Sequence, residues 1–121
     1  MKYIDGFVLP IAKERMAEYQ SIVQTAAKIW KEHGALEYWE CKADDLSTDK
    51  GVRSFAEMTG ANDDEHVIFG WVVFESREAR DVANEKVASD PRMLSLMDPD
   101  KPIFDFKRMA YAGFETMVRV N

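Results

Sequence analysis

Asp5 is the residue whose chemistry fits its neighbours least, because this carboxylic acid interrupts the largely apolar segment KYIDGFVL at the start of the chain. A carboxylate within a buried strand must be hydrogen-bonded, paired with a cation or shifted in pKa. We therefore expect Asp5 to form a buried ion pair with Arg108 or Lys2, or to act as a base if it faces a cavity. Glu40 and Glu115 are also carboxylic acids within predicted strands, but they are weaker candidates for a buried ion pair or a base.

Tyr111 and His66 are the other two candidates for acid–base chemistry. Tyr111 lies in the closing segment KRMAYAGFE, and a phenol or a carboxylate such as Asp5 could take a proton from a phenolic or enolisable substrate. His66 opens the most apolar segment of the chain and could act as a base beside a cleft. A polar residue at the end of a strand is the simpler account of His66, so the sequence leaves open whether the protein is an enzyme.

Aromatic residues are the candidates for ligand binding, because rings spaced along strands can line a pocket for a flat apolar molecule. The same spacing also suits an ordinary hydrophobic core or a subunit interface. The predicted ligand-binding residues are Phe7, Tyr38, Phe69, Trp71 and Tyr111.

Metal and cofactor sites are not expected. The chain has 2 histidines and 1 cysteine, Cys41, which leaves very few positions for a metal site or for haem ligation. It contains no phosphate-binding loop, dinucleotide-binding motif, GxSxG or HExxH pattern. We expect Cys41 to be a buried or half-buried packing residue rather than a nucleophile.

The charge balance argues against nucleic acids and anionic membranes as partners. The 121 residues include 16 Lys and Arg against 22 Asp and Glu, and the formal net charge of −6 does not favour a polyanion. No apolar stretch reaches the length of about 18 residues that a membrane span requires, and the N-terminus lacks the apolar run of a secretory signal. We therefore expect a soluble, cytoplasmic protein.

The sequence predicts strands and helices along the chain, and these elements would position the candidate site residues. Apolar residues at helical spacing precede Gly34, a residue type that ends helices, and Ser76 is suited to begin a second helix. Pro10 should end the first strand, and Pro91 should begin a short additional helix. The segment 52–58 indicates a short edge strand or an extended loop. The predicted strands are residues 2–9, 35–43, 66–75 and 107–115, and the main helices are residues 11–33 and the segment between Ser76 and Asp90.

This order predicts an α+β fold of the ferredoxin-like βαββαβ type, with an antiparallel sheet and two main helices on one face. A full additional strand at 52–58 would reverse the chain direction and break the right-handed crossovers of this plan. The length of the chain suits a single domain over residues 1–121.

Both faces of the predicted sheet are apolar, although two helices can cover only one. We expect the small residues to lie under the helices and the large ones to lie on the opposite face. Six large side chains would form a patch bigger than the few hundred Å² that a monomer usually exposes, so we expect a two-fold homodimer. The small set is Gly6, Gly70, Ala110 and Ala112, and the large set is Phe7, Phe69, Trp71, Val73, Met109 and Tyr111.

Four segments together resemble the DUF1428 family of small bacterial proteins: YIDGF, HGALEYWEC, SDPRM and FDFKRMAYAGFE. Phe106 and Ala112 stand where glycine is common in that family. The family looks like a branch of the dimeric α/β-barrel superfamily, so the resemblance implies two sheets packed face to face beside a cleft. Related members include cofactor-free monooxygenases, isomerases, haem enzymes and non-catalytic proteins, so the fold alone does not determine the chemistry.

Two functions follow as hypotheses. The first is a homodimeric binding or structural module with an apolar cleft for a small apolar or aromatic ligand. The alternative is a cofactor-free enzyme, monooxygenase-like or isomerase-like, acting on an aromatic or enolisable molecule. A cavity of about 300 Å³ or more that is reached by Asp5 or another carboxylate would favour ligand chemistry. A filled interior with Asp5 held in a salt bridge would favour the module.

Overall fold

The computed structural model describes residues 1–121 as a four-stranded antiparallel sheet with helices packed on it. The strands are β1 (Tyr3–Ala12), β2 (Glu37–Lys42), β3 (Glu65–Phe74) and β4 (Ala110–Glu115), and the helices are α1 (Met16–Glu32), α2 (Phe55–Thr59), α3 (Arg77–Ala88) and α4 (Pro91–Leu96). The strand order β2-β3-β1-β4 places β1 and β3 in the centre. The α+β, ferredoxin-like prediction is thereby confirmed.

The helix starts predicted from polar residues and proline are found where the sequence indicates them. The Ser76 hydroxyl accepts a hydrogen bond from the backbone N–H of Ala79 at 3.1 Å, which caps α3. The Asp90 carboxylate accepts one from the backbone N–H of Arg92 at 2.9 Å, and Pro91 is the first residue of α4. These two caps fix the positions of α3 and α4 along the chain.

The first strand is longer than predicted and the first helix is shorter. β1 continues through Pro10 to Ala12, and α1 begins only at Met16 after a short 3-10 turn. Pro10 is tolerated because β4 pairs with β1 only as far as Val8, so beyond that point β1 has one neighbouring strand instead of two. The prediction that the helix spans 11–33 is therefore wrong at its N-terminal end.

The segment 52–58 is neither a strand nor an extended loop, because most of it belongs to the short helix α2. The Ser54 hydroxyl accepts a hydrogen bond from the backbone N–H of Glu57 at 3.1 Å, and Gly60 ends the helix with a φ of 68°. The closing strand also begins later than predicted, at Ala110, because a 3-10 turn precedes it.

The register of the strands decides which side chains share a face of the sheet. Phe7 lies opposite Gly70 on β3 and opposite Tyr111 on β4, so these three residues share one face. Leu9, two residues beyond Phe7 on β1, lies on the same face of the sheet and packs against Tyr19 of α1. We call this side, which α1 and α3 cover, the helix face.

Gly6 lies opposite Trp71 and Ala112 on the other side of the sheet, which we call the open face. The predicted division into a small-residue face and a large-residue face is therefore wrong. The small residues of β1 and β4 share a face as predicted, but β3 is paired in the opposite phase, so its large residues join them there. The open face carries Gly6, Ala110 and Ala112 together with Phe69, Trp71 and Val73, whereas Gly70 shares the helix face with Phe7 and Tyr111.

Gly70 allows Phe7 to lie flat on the helix face. A Cβ atom at position 70 would lie 2.3 Å from Cζ of Phe7 and 2.8 Å from the backbone oxygen of Trp39. Because real side chains do not approach that closely, only glycine accommodates this arrangement. The ring of Phe7 thereby occupies the middle of the helix face and forms part of the floor of a cavity.

Candidate functional site

A cavity of about 470 Å³ lies between the helix face of the sheet, α1 and the chain that follows α4. Of its 19 lining residues, 16 are hydrophobic, and the only ionisable carboxyl groups among them are those of Asp5 and Glu40. No lysine, arginine or histidine lines it. The aromatic side chains that line it are those of Phe7, Tyr19, Trp30, Tyr38, Phe104, Phe106 and Tyr111.

Glu40 projects from β2 onto the helix face, where it lies opposite Gly70. The Tyr38 hydroxyl donates a hydrogen bond to Oε2 of Glu40 at 2.6 Å, and the Tyr19 hydroxyl donates one to Oε1. None of the ion pairs of the molecule includes Glu40. Burial raises the pKa of Glu40 above its usual value, and the two tyrosine hydrogen bonds oppose this effect.

The two tyrosines are fixed as hydrogen-bond donors to this carboxylate. Burial raises the pKa of Tyr19 and of Tyr38, and the neighbouring charge of Glu40 raises both further. Both phenols therefore keep their protons at any ordinary pH. The result is a carboxylate with one hydroxyl donor on each oxygen and no cation beside it.

Asp5 lies at another part of the cavity wall and is only 4% exposed. Nη1 of Arg80, on α3, lies 2.8 Å from Oδ1 of Asp5 and 2.9 Å from the hydroxyl of Tyr111. The guanidinium also stacks over the ring of Tyr3, 4.9 Å from its centre. Burial raises the pKa of Asp5, while hydrogen bonding to Tyr111 and the charge of Arg80 act in the opposite direction.

Arg80 replaces both cations that the sequence suggested as partners of Asp5. Arg108 instead forms two hydrogen bonds with the carboxylate of Glu65, at 2.6 and 2.8 Å. Lys2 pairs with Glu75 at 2.7 Å. The expected buried ion pair exists, but its cation comes from a helix instead of a strand end.

The predicted ligand-binding residues are divided between the two faces of the sheet. Phe7, Tyr38 and Tyr111 line the cavity on the helix face. Phe69 and Trp71 lie on the open face, where Trp71 stacks on Trp39 with ring centres 5.4 Å apart. The structure therefore brings three of the five predicted residues to one site.

Of the three catalytic candidates, Asp5 and Tyr111 lie close together, whereas His66 lies far from them. The Tyr111 hydroxyl and the Asp5 carboxylate both accept a hydrogen bond from Nη1 of Arg80, so these two lie together. His66 lies opposite Ile11, about 20 Å along the sheet from the position of Asp5 at a rise of about 3.3 Å per residue. Partial burial and the charges of nearby lysines lower the pKa of His66. Glu115 is exposed at the end of β4.

A second, smaller groove of about 270 Å³ borders the same carboxylate from outside. Tyr19, Val23 and Glu40 line both this groove and the larger cavity. Cys41 and Lys42 lie on its outer side, and Cys41 is exposed, which contradicts the expectation that it is a buried or half-buried packing residue. The edge position of β2 explains its exposure, since no strand covers that side.

Tyr19, Arg80 and Gly70 are site residues that the sequence reasoning did not identify. The spacing of Tyr38 and Glu40 offered a signal, because residues two apart on a strand share a face. Tyr19 and Arg80 offered none, since the sequence alone does not say which strand each helix covers. Gly70 was noted only for its small size.

Two structural observations concern other classes of function. No group of three or more His, Cys, Asp or Glu side chains is arranged to hold a metal ion. None of the helices is both long and apolar enough to cross a lipid bilayer.

Comparison with solved structures shows that the fold is shared with distant proteins. An uncharacterized NIPSNAP domain protein from Burkholderia xenovorans aligns over 98% of both chains with a TM-score of 0.60 and 12% identity. Rv0793 from Mycobacterium tuberculosis aligns over 100% of both chains with a TM-score of 0.58 and 10% identity. At these identities the likeness concerns the fold alone.

Comparison with known sequences identifies proteins of higher identity to this chain. The protein YbaA of Escherichia coli strain K12, described as uncharacterized, is 41% identical over 118 residues, which is 98% of each chain. The protein of the same name from Shigella flexneri matches equally well. The family model DUF1428, described as a protein of unknown function, matches residues 2–106. The chain therefore belongs to the DUF1428 family.

Proposed function

We propose that the chain is one protomer of a homodimeric binding protein that holds a small apolar or aromatic molecule in the cavity on the helix face. The observation that carries the proposal is the cavity itself. Its volume of about 470 Å³ falls within the range of about 300–1,000 Å³ typical of ligand pockets, and its wall is mostly apolar with a few polar groups.

The polar groups of the cavity suit recognition better than they suit turnover at Asp5. The Asp5 carboxylate is bound by the guanidinium of Arg80, so a proton acceptor there would first have to leave this partner. The binding function therefore has more support than an enzyme that uses Asp5 as its base.

The homodimer is proposed from the open face. The exposed fractions of Trp39, Phe69 and Phe114 are 49%, 42% and 54%, and all three rings lie on this face. Its charged strand residues, Glu37 and Glu65, lie at strand ends, which leaves the middle uncharged. An apolar patch of this kind is typically covered in a soluble protein, and a second copy covers it with an equally uncharged surface.

A thermal-shift screen with naphthalene-like and quinone-like compounds tests the binding function. A ligand present at 100 times its dissociation constant should raise the free energy of unfolding by about 2.7 kcal/mol. Met93→Trp places a large ring in the cavity wall and should abolish the shift. Leu94→Trp, the next residue on α4, is exposed to solvent and should leave the shift intact.

Two results would reject the proposal. One is a wild-type protein that no compound of the screen stabilises. The other is a set of shifts that Met93→Trp and Leu94→Trp leave equally large, because the compounds would then bind elsewhere.

A further inference from the structure

Glu40 differs from the other poorly exposed carboxylates on the strands because no cation neutralises it. Asp5 is paired with Arg80 at 2.8 Å, and Glu65 is paired with Arg108 at 2.6 Å. Glu40 has only the hydroxyls of two tyrosines. A hydroxyl donor stabilises a carboxylate, but it does not cancel its charge.

The cavity as a whole has the same imbalance. Its lining includes two acidic side chains and no basic one, and only one of the two acids has a cation behind it. A low-dielectric site with one uncompensated negative charge attracts a cation and repels an anion. The net charge of −6 on the whole chain acts in the same direction at longer range.

The rings around Glu40 favour the same kind of ligand. Tyr19 and Tyr38 contact the carboxylate, and Phe7 lies over Gly70, the residue directly opposite Glu40. Ammonium groups are attracted to the faces of aromatic rings, and this attraction is strongest where water is excluded. A carboxylate surrounded by aromatic rings is therefore suited to an ammonium group on an apolar body.

We propose that the ligand of this cavity is a hydrophobic amine whose protonated nitrogen binds the carboxylate of Glu40 and whose aromatic or alkyl body fills the apolar space. This inference rests on the proposed binding function and adds the chemical class of the ligand. Each oxygen of Glu40 accepts one tyrosine hydroxyl and keeps a lone pair for an N–H donor.

Lys42 is the side chain of this chain that could compete for the position. It lies on the same face of β2, two residues beyond Glu40, and lines the outer groove. Its side chain forms no ion pair with Glu40, and Lys42 is exposed. Lys42 therefore does not neutralise Glu40, and the position beside the carboxylate stays open to the proposed amine.

Calorimetric titration with three isosteric probes tests the inference: naphthylethylamine, naphthylethanol and naphthylacetate. The wild-type protein should bind the amine about tenfold more tightly than the alcohol, which corresponds to about 1.4 kcal/mol, because only the protonated amine neutralises the charge of Glu40. The carboxylate probe should bind most weakly. Glu40→Gln should bind amine and alcohol equally, with unchanged affinity for the alcohol.

Glu37→Gln is the matched control, because Glu37 lies on the same strand but on the open face, where it is exposed. It should keep the preference for the amine. Equal affinities for amine and alcohol in the wild-type protein would overturn the amine assignment and leave the binding function standing. A preference that survives in Glu40→Gln would also overturn it. Failure of all three probes together with the whole compound screen would instead reject the binding function.

Discussion

Asp5, which is buried, and Glu40, which is partly buried, show how two carboxylates on one face of a sheet acquire different surroundings. Burial raises the pKa of both groups. The guanidinium of Arg80 opposes that effect only at Asp5, which makes Asp5 part of the structural framework. Glu40 has no cation beside it, and this difference is why we assign the proposed ligand contact to Glu40 rather than to Asp5.

Removing the cation of the Asp5–Arg80 pair should destabilise the fold. Arg80→Met leaves a carboxylate that is 4% exposed without its partner, and the expected loss is about 3 kcal/mol in the free energy of unfolding. The double variant Asp5→Asn with Arg80→Met should recover most of that loss, since no buried charge remains. Chemical denaturation measures both values.

Arg77→Met provides the control for that experiment, because Arg77 begins the same helix but is exposed and forms no ion pair. Its effect should stay within about 0.5 kcal/mol. If Arg80→Met and Arg77→Met lower the free energy of unfolding by the same amount, the Asp5–Arg80 ion pair does not contribute to stability in the way we argue.

The sequence identified the acidic residues of the site but not their partners. Asp5 stands out because its neighbours along the strand are apolar, which is a local property. Arg80 lies 75 positions further along the chain, on a helix that the sequence reasoning did not connect with Asp5. Which helix residue meets which strand residue depends on how α3 is placed on the sheet, and local patterns contain no information about that.

At the scale of the elements, most strands and helices follow from sequence patterns. The buried strand β3 and the capped helix α3 were predicted because continuous apolar runs and polar caps are local signals. α2 was missed although the segment SFAEMTG contains a Ser-x-x-Glu cap and a closing glycine. The apolar character of VRSFAEM outweighed that capping signal in the prediction.

The phase of β3 relative to β1 was the other failure at this scale, and it depends on Gly70, whereas the predicted phase of β1 relative to β4 is confirmed. Adjacent strands can be paired in two phases that each keep one face apolar, and the sequence does not choose between them. The structure selects the phase that places Phe7 over Gly70. This contact fixes which aromatic residues line the cavity and which lie on the open face.

Gly70→Ala should therefore destabilise the sheet by about 2 kcal/mol, as is typical for overpacking. The added Cβ would lie 2.5 Å or less from two atoms of the Phe7 ring and 2.8 Å from the oxygen of Trp39, which is backbone and cannot rotate away. Thermal or chemical unfolding gives the value.

Gly6→Ala is the comparison on the opposite face of the sheet. There the added Cβ would meet Cε2 of Phe114 at 3.0 Å, and this contact is to a side chain, which can shift by a few tenths of an ångström, rather than to backbone. We expect a loss below about 1 kcal/mol. A larger loss for Gly6→Ala than for Gly70→Ala would contradict the proposed packing of Phe7.

At the scale of the whole molecule, the two faces of the sheet differ, because one carries the cavity and the other carries uncovered aromatic rings. The helix face is covered by α1 and α3 and encloses the cavity. The open face is covered in part by α2, whose Phe55 packs edge-to-face on Phe69 with ring centres 5.7 Å apart. The remaining uncovered rings are the reason for proposing a second copy.

Placing a charge on the open face should separate the proposed dimer. Ala112→Glu adds a carboxylate on the exposed strand β4, opposite Gly6, without removing any side chain that packs within the protomer. An unpaired charge buried in an interface costs several kcal/mol, so association should weaken by about 100-fold or more. In sedimentation experiments at micromolar concentration, the wild-type protein should have twice the mass of one chain, and the variant should have the mass of one.

Ala17→Glu makes the same substitution on the exposed side of α1, away from the open face, and should leave the dimer intact. Because the two variants differ from the wild type by the same chemical change, any difference between them reports the position of the interface. Separation by Ala17→Glu alone would place the interface on the helices. A wild-type protein that sediments with the mass of one chain would show that the aromatic rings of the open face remain exposed in a stable monomer, and the dimer would have to be abandoned.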